Sequence, residues 1–294
     1  MRGRPIQLGS SAFLKEDKPS RIFDIPGLLS PCFTGRMSYL DLLRNIVYSP
    51  LRAQAPNDNH TSYKRVAIYG LPGVGKTQLA LKYASEYRTD YSAIFFVSAS
   101  TEVTLRQGYE RIVALLDLPE KSRADSDVNV KVAAARSWLE NSRSRDGRGW
   151  LLIVDNVHPE KLKAEDVKSD GPAKLDEERA TVGRINADFL PREGLTPQGT
   201  IIFTTRNLEA AERLVGRNAN LCLEVGEMKP AEAVQLLLRV SGESNDASDG
   251  LAERVAEELG NLPLAIDQAA SCMKKFGVDF EALLGYLRTE KNDV

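Results

Sequence analysis

The sequence of 294 residues predicts an α/β fold, with a parallel sheet flanked by helices and followed by a small all-α helical domain. Three observations support this prediction. A glycine-rich segment at residues 70–77 joins a short apolar run to a helical pattern. Two later apolar runs end in a charged residue, Asp155 in one and Arg206 in the other. From residue 229 onward the spacing of apolar residues is helical throughout.

The individual elements follow from apolar periodicity. Short continuous apolar runs predict buried strands, and apolar residues three or four positions apart predict helices. The predicted strands are residues 65–69, 93–97, 150–155, 200–206 and 220–225. The predicted helices are residues 37–47, 78–87, 103–116, 128–140, 231–240, 251–259, 263–276 and 280–287.

Composition excludes several classes of protein. A formal net charge of −2 gives no electrostatic case for nucleic-acid binding. Three widely spaced cysteines form neither a disulfide framework nor a metal site, and they favour a reducing, cytoplasmic location. His60 and His158 lack companion ligands, so we expect surface or capping roles for both rather than zinc binding or catalysis. No apolar run reaches the roughly 18 to 20 residues of a membrane span, and none suggests a secretory signal.

Residues 70–77 match the pattern G-x-x-x-x-G-K-[ST] and lie between a predicted strand and a predicted helix, as a phosphate-binding loop requires. The glycines let successive backbone N–H groups point at phosphate oxygens, and the N-terminus of the helix adds a partial positive charge. We expect Lys76 to reach the β- and γ-phosphates and the Thr77 hydroxyl to ligate Mg²⁺. The loop therefore predicts nucleotide binding.

Two further charged residues fit this prediction. Asp155 closes an apolar strand at its carboxyl end, where ligands of α/β sheets bind, and it has the form of a Walker B aspartate that holds Mg²⁺ through water. Arg206 ends another strand, where a terminal phosphate would need a counter-charge.

Five motifs in this order resemble the NB-ARC domain of signal-transducing P-loop ATPases, the STAND family. That family includes NOD-like receptors, plant disease-resistance proteins and apoptotic protease-activating factors. The resemblance is strongest to fungal-type members and covers residues 31 to about 290. The motifs are residues 33–36, 70–77, 151–155, 201–206 and 260–265.

The resemblance implies roles for further residues. It implies that Phe33 and Arg36 pack near the adenine, that Arg206 is a sensor arginine for the γ-phosphate, and that Pro263 lines the base from the helical domain. Pattern and resemblance together give Asp155, Lys76 and Arg206 as candidate catalytic residues, and Thr77 and Asp155 as metal ligands. The candidate residues for binding ADP or ATP are Phe33, Arg36, Gly70, Gly73, Val74, Gly75, Lys76, Thr77, Gln78, Arg206 and Pro263.

The predicted domain organisation has three parts. Residues 1–30 are predicted as a poorly ordered N-terminal arm. Residues 31–226 are predicted as the α/β nucleotide-binding domain, with a charged surface insertion at about 160–186. Residues 227–294 are predicted as a helical domain, similar to the ARC1 domain of the family.

The resemblance implies a nucleotide-dependent switch in immune or cell-death-type signalling. In that family ADP occupies a closed state, and ATP permits self-association or binding to other signalling proteins. Many members carry a second acid after the Walker B aspartate, but here the position is Asn156, whose amide cannot accept a proton, so we expect a slow ATPase at most. Two alternatives remain open, namely a catalytic P-loop ATPase and a truncated decoy or scaffold that binds no nucleotide.

Overall fold

A computed structural model describes residues 21–27, 29–48, 64–119, 127–142, 147–158, 185–192, 199–243 and 250–292. In this part of the chain six strands form one sheet in the order β1-β3-β4-β5-β2-β6, and every neighbouring pair is parallel. The strands are β1 Ile22–Asp24, β2 Lys64–Tyr69, β3 Ala93–Ser98, β4 Trp150–Val157, β5 Gly199–Thr205 and β6 Cys222–Glu224. The predicted α/β fold with a parallel sheet is confirmed.

Helices connect these strands, and after β6 the described part of the chain contains helices without further strands. Short 3₁₀ turns at Arg88–Asp90 and Ala219–Leu221 and a π turn at Ile185–Phe189 complete the described elements. The helices are α1 Met37–Tyr48, α2 Lys76–Glu86, α3 Glu102–Leu115, α4 Val128–Asn141, α5 Leu208–Leu214, α6 Pro230–Ser241, α7 Leu251–Glu258, α8 Pro263–Phe276 and α9 Phe280–Asn292.

The sheet is covered on both faces, as its apolar strands require. Leu151 and Ile153 of β4 belong to an apolar cluster with residues of α1 and α2. Leu152 and Val154 of the same strand belong to a second cluster, with residues of α3, α4 and α5. Successive side chains of a strand point to opposite faces, so burial of all four places β4 at the centre of two cores.

Helices α6 to α9 enclose a third apolar cluster of their own. Each helix contributes at least one buried aliphatic side chain, for example Leu237, Val255, Ile266 and Leu284. This cluster matches the helical periodicity of the sequence after residue 229. The division into domains near residue 226 stays a prediction. No helix in the described ranges is long and apolar enough to cross a membrane.

Trp150, the first residue of β4, is the largest fully buried side chain in the described chain. Its indole Nε1 donates a hydrogen bond to the Leu139 carbonyl of α4, at 2.9 Å. Gly199 of β5 pairs with Trp150 across the sheet. A Cβ atom at position 199 would lie 2.2 Å from Cζ2 of the indole, so the ring occupies the space that a side chain would need.

Three local predictions differ from the structure. Residues 22–24 form strand β1 and pair with β3, although the sequence pattern predicts a poorly ordered arm there, because three residues are too few for periodicity to register. Helix α5 was not predicted, because its seven residues make only about two turns. Of the surface or capping role expected for His158, the surface role is wrong, because the residue directly follows the buried strand β4 and is only 8% exposed. The capping role stays a prediction. Residues 1–20, His60 and residues 160–184 lie outside the described ranges.

Candidate functional site

The carboxyl ends of three neighbouring strands bring the predicted charged residues to one edge of the sheet. Strand β5 lies between β2 and β4. The glycine loop follows β2, Asp155 lies near the end of β4, and Arg206 directly follows β5. Arg206 therefore emerges between the loop and the aspartate, at the edge where α/β sheets bind their ligands.

The loop at residues 70–75 has the backbone that its glycines permit. Gly70, Gly73 and Gly75 all have positive φ angles, of 146°, 81° and 90°. A Cβ atom at Gly70 would lie 2.2 Å from the Val225 carbonyl oxygen, so only glycine fits at the first position. Gly75 precedes α2 and has no side chain to cap it, so the first backbone N–H groups of α2 are available to an anion.

Lys76, the first residue of α2, folds back over the loop. Its Nζ donates to the carbonyl oxygens of Gly70, at 2.9 Å, and of Leu71, at 2.8 Å. Burial lowers the pKa of Lys76, the positive charge of Arg206 lowers it further, and Asp155 acts in the opposite direction. An anion bound beside Lys76 and Arg206 would relieve this repulsion between the two cations.

Asp155 is buried behind the loop, with 9% of its surface exposed. Its Oδ1 accepts hydrogen bonds from the hydroxyls of Thr77 and Thr204, each at 2.7 Å. Thr204 Oγ1 also accepts from the backbone N–H of Asn156, at 2.8 Å. The pairing of β4 with β5 is irregular between Val154 and Val157, and Asn156 has a φ of 62°. The bulge turns Asn156 toward the cavity described below.

Thr204 was not predicted as a site residue, because it lies inside a strand that the sequence marks only as apolar. The signal that could have identified it is chemical. A carboxylate buried at the end of β4 needs hydrogen-bond donors, and two successive threonines interrupt the neighbouring apolar strand.

Replacing Thr204 with valine is expected to lower the free energy of unfolding by about 1–3 kcal/mol. Valine keeps the shape of the side chain, but the buried Asp155 loses a hydrogen-bond donor and the backbone N–H of Asn156 loses its acceptor. Urea unfolding measures the change. The matched control is Thr289→Val, at an exposed position of α9, and it is expected to change stability by less than about 0.5 kcal/mol. Equal stability of the two variants would contradict the assigned network.

A cavity of about 460 Å³ lies in front of the loop. All predicted nucleotide-binding residues except Gly70 line it. Asp155 does not line it but lies behind Thr77, which does. Residues that the sequence analysis did not select for nucleotide binding also contribute to the lining, among them Ser30, Asn156, Thr204, Leu236, Leu264 and Asp267.

Arg36 is 5% exposed, and its guanidinium donates hydrogen bonds to two backbone carbonyls. Nη1 donates to the Gly226 carbonyl at 2.9 Å, and Nη2 donates to the Val74 carbonyl of the loop at 3.3 Å. The guanidinium carbon also lies 5.2 Å from the centre of the Tyr39 ring. Burial lowers the pKa of Arg36, and Tyr39 and Glu232 act in the opposite direction. The predicted contact of Arg36 with the adenine stays a prediction.

The N-terminus of α8 rests directly on the loop. The backbone N–H of Leu264 donates to the Gly73 carbonyl at 3.2 Å. Pro263 occupies the first turn of α8, where its missing N–H costs no hydrogen bond. Its Cγ lies 3.8 Å from the point where a Cβ at Gly75 would stand. The helical cluster therefore closes one side of the cavity through Pro263 and Leu264.

These features define the class of protein. A parallel sheet with a glycine loop after β2 and an acid at the end of β4 is a P-loop NTPase fold. The chain is similar to the Walker-type ATPase of Pyrococcus abyssi (TM-score 0.54, 13% identity, 87% of this chain and 71% of that chain). It is also similar to Cdc6p of Pyrobaculum aerophilum (TM-score 0.52, 16% identity, 86% of this chain and 65% of that chain).

A closer relative by sequence comes from a fungus. The chain is 33% identical over 262 residues to a nucleotide-binding leucine-rich repeat (NLR)-like protein of Hyaloscypha variabilis. The match covers 86% of this chain and 24% of that protein, so the chain spans about a quarter of the length of its relative. No protein-family model matches the sequence.

Proposed function

We propose that the chain binds ADP and ATP in the cavity beside the loop and acts as a nucleotide-dependent switch of the NOD-like receptor type. One observation carries the proposal. The cavity is lined by the phosphate loop and Arg206 on one side and by Pro263, Leu264 and Leu236 of the helical cluster on the other. A ligand there contacts both parts of the molecule.

The phosphates belong at the loop. There the backbone N–H groups at the start of α2, Lys76 and Arg206 supply positive charge. Thr77 and Asp155 present a hydroxyl oxygen and a carboxylate, the oxygen donors that Mg²⁺ prefers, so these residues fit the metal ion. Bound Mg²⁺ would neutralise charge on the β- and γ-phosphates. The Thr77 hydroxyl could offer a lone pair to the ion while it continues to donate its hydrogen bond to Asp155.

The nucleoside belongs at the other end of the cavity, between the segment at residues 30–36 and α8. Phe33, Leu236 and Pro263 supply apolar surface there. ADP and ATP differ by the γ-phosphate, which lies toward Arg206 in this orientation. A switch requires the two nucleotides to differ in affinity for two arrangements of the molecule, and we propose that Lys76 and Arg206 provide this difference.

The name of the fungal relative supports nucleotide binding and the NLR-like type of protein. We propose a cytoplasmic protein that acts in immune or cell-death-type signalling through self-association or other signalling proteins. Occupancy rather than turnover is the signal, because Asn156 stands beside the cavity where a carboxylate would activate water.

Gentle purification followed by denaturation and chromatography is expected to release adenine nucleotide, mainly ADP, in a near 1:1 ratio to the protein. Contacts with both the phosphate loop and the helical cluster would explain retention during purification. Guanine nucleotide measured in the same extract is the internal control and should be near zero. An empty protein that also gains no thermal stability from added ADP or ATP would contradict the proposal and favour a non-binding decoy.

A measurement of ATP hydrolysis distinguishes the catalytic alternative from the proposed switch. If ATP with Mg²⁺ is hydrolysed in many cycles, and Asp155→Ala abolishes that activity, then catalysis rather than occupancy is the function.

A further inference from the structure

The segment at residues 32–36 lines the side of the cavity where we place the nucleoside, and we call this segment the pocket wall. Helix α6 holds the pocket wall through two hydrogen bonds. The backbone N–H of Arg36 donates to Glu232 Oε1 at 3.0 Å. Arg239 Nη1 donates to the carbonyl of Phe33 at 3.3 Å. Glu232 and Arg239 are seven residues apart, which is close to two helical turns, so one face of α6 contacts both ends of the wall.

The fit between the wall and Glu232 is close. A Cβ atom at Gly35 would lie 2.4 Å from Cδ of Glu232, so the carboxylate packs against the bare glycine backbone. Gly35 and Arg36 both have a φ of 63°, which turns the Arg36 N–H toward the helix. Leu236 lies between Glu232 and Arg239 on the same face and lines the cavity.

The other side of the wall is tied to the phosphate loop. The guanidinium of Arg36 donates to the Val74 carbonyl of the loop. Just before the wall, the Ser30 N–H donates to Oε1 of Gln78 on α2, at 2.8 Å. The wall therefore spans from the α/β part to α6, and its position depends on both attachments.

We propose that Glu232 and Arg239 are positioning residues for nucleotide binding. Neither lines the cavity, but both hold the wall that contacts the nucleoside. The affinity for the nucleoside part of a nucleotide then depends on two side chains that never touch it. The inference rests on the proposed function, because it takes the cavity to be a nucleotide site.

The test compares two ligands on the full chain. Calorimetric titration measures ADP, which contacts loop and wall, and inorganic pyrophosphate with Mg²⁺, which contacts the loop alone. Glu232→Ala removes the acceptor of the Arg36 N–H and is expected to weaken ADP binding about tenfold, the equivalent of one hydrogen bond to a charged group. Pyrophosphate affinity is expected to stay within about twofold of the parent chain, because the loop contacts are unchanged.

Three further variants make the test specific. Glu232→Gln keeps an acceptor oxygen and should restore most of the ADP affinity, which a general loss of packing would not allow. Arg239→Ala should also weaken ADP binding. If Glu232→Ala fails to fold, Arg239→Ala still tests the positioning role, because Arg239 is exposed. Glu253→Ala is the matched control, an exposed acid in the first turn of α7, and should bind ADP normally.

The outcomes separate the two proposals. Unchanged ADP affinity in both Glu232→Ala and Arg239→Ala overturns the positioning role. So does an equal loss for ADP and pyrophosphate, since the wall would not then act on the nucleoside. A parent chain that binds pyrophosphate but neither ADP nor ATP overturns the proposed function instead.

Discussion

Replacing Lys76 with alanine is expected to weaken ADP binding by at least about a hundredfold, because two charge-assisted hydrogen bonds to phosphate contribute at least about 3 kcal/mol. In the described structure Nζ donates to two carbonyl oxygens of the loop, which hold its positive charge beside the proposed phosphate site. ADP at 100 times the parent Kd should add about 2.7 kcal/mol to the parent stability but only about 0.4 kcal/mol to the variant.

Lys82→Ala is the matched control for this experiment. Lys82 lies on the same helix, α2, and pairs with Glu86 rather than facing the cavity. Its replacement removes one positive charge from α2, so it tests for a general electrostatic effect. ADP affinity within about twofold of the parent chain is expected, since a surface ion pair contributes little. A similar loss of ADP affinity in Lys76→Ala and Lys82→Ala would indicate that the phosphates do not bind at the loop.

Replacing Gly199 with alanine is expected to lower the free energy of unfolding by about 3 kcal/mol, at the high end for overpacking of a core. The added methyl group would overlap the indole of Trp150, which has 1% of its surface exposed and is held by its bond to the Leu139 carbonyl. The ring cannot move without breaking this bond or displacing α4. Urea unfolding monitored by circular dichroism and by tryptophan fluorescence measures both stability and ring environment.

Gly285→Ala supplies the control for the same chemical change. Gly285 lies inside α9, and a Cβ there would meet nothing within 4 Å. Alanine is the better helix former, so this variant should be more stable by about 0.5–1 kcal/mol. If Gly199→Ala cost less than about 1 kcal/mol, the tight contact between β5 and the indole would be refuted.

The sequence was sufficient to predict the sheet and much of the cavity. Continuous apolar runs identify strands buried on both faces, and the loop pattern carries its own geometry, since Gly70, Gly73 and Gly75 adopt the positive φ angles that only glycine accepts readily. The carboxyl ends of parallel strands meet at one edge of a sheet, so Asp155 and Arg206, which each close a predicted strand, are predicted to lie at the same edge as the loop.

The remaining features depend on contacts between distant parts of the chain. Thr204 was not selected from its strand pattern, because that pattern alone does not show that a hydroxyl on β5 meets a carboxylate on β4. Glu232 has the pattern of an ordinary acid in the first turn of a helix, and only the fold brings it to the N–H of a residue 196 positions earlier. Strand β1 has three residues, too few for a periodic signal.

The contact between Leu264 and Gly73 has a consequence for comparisons among related sequences. The bond is made by a backbone N–H and a backbone carbonyl, while the Leu264 side chain is 52% exposed. Many side chains at position 264 would preserve the bond, and only proline would remove its donor. Variation among homologues at position 264 would therefore show that different side chains are tolerated there, although the backbone of this residue joins the helical cluster to the phosphate loop. Sequence alignment alone cannot detect this junction.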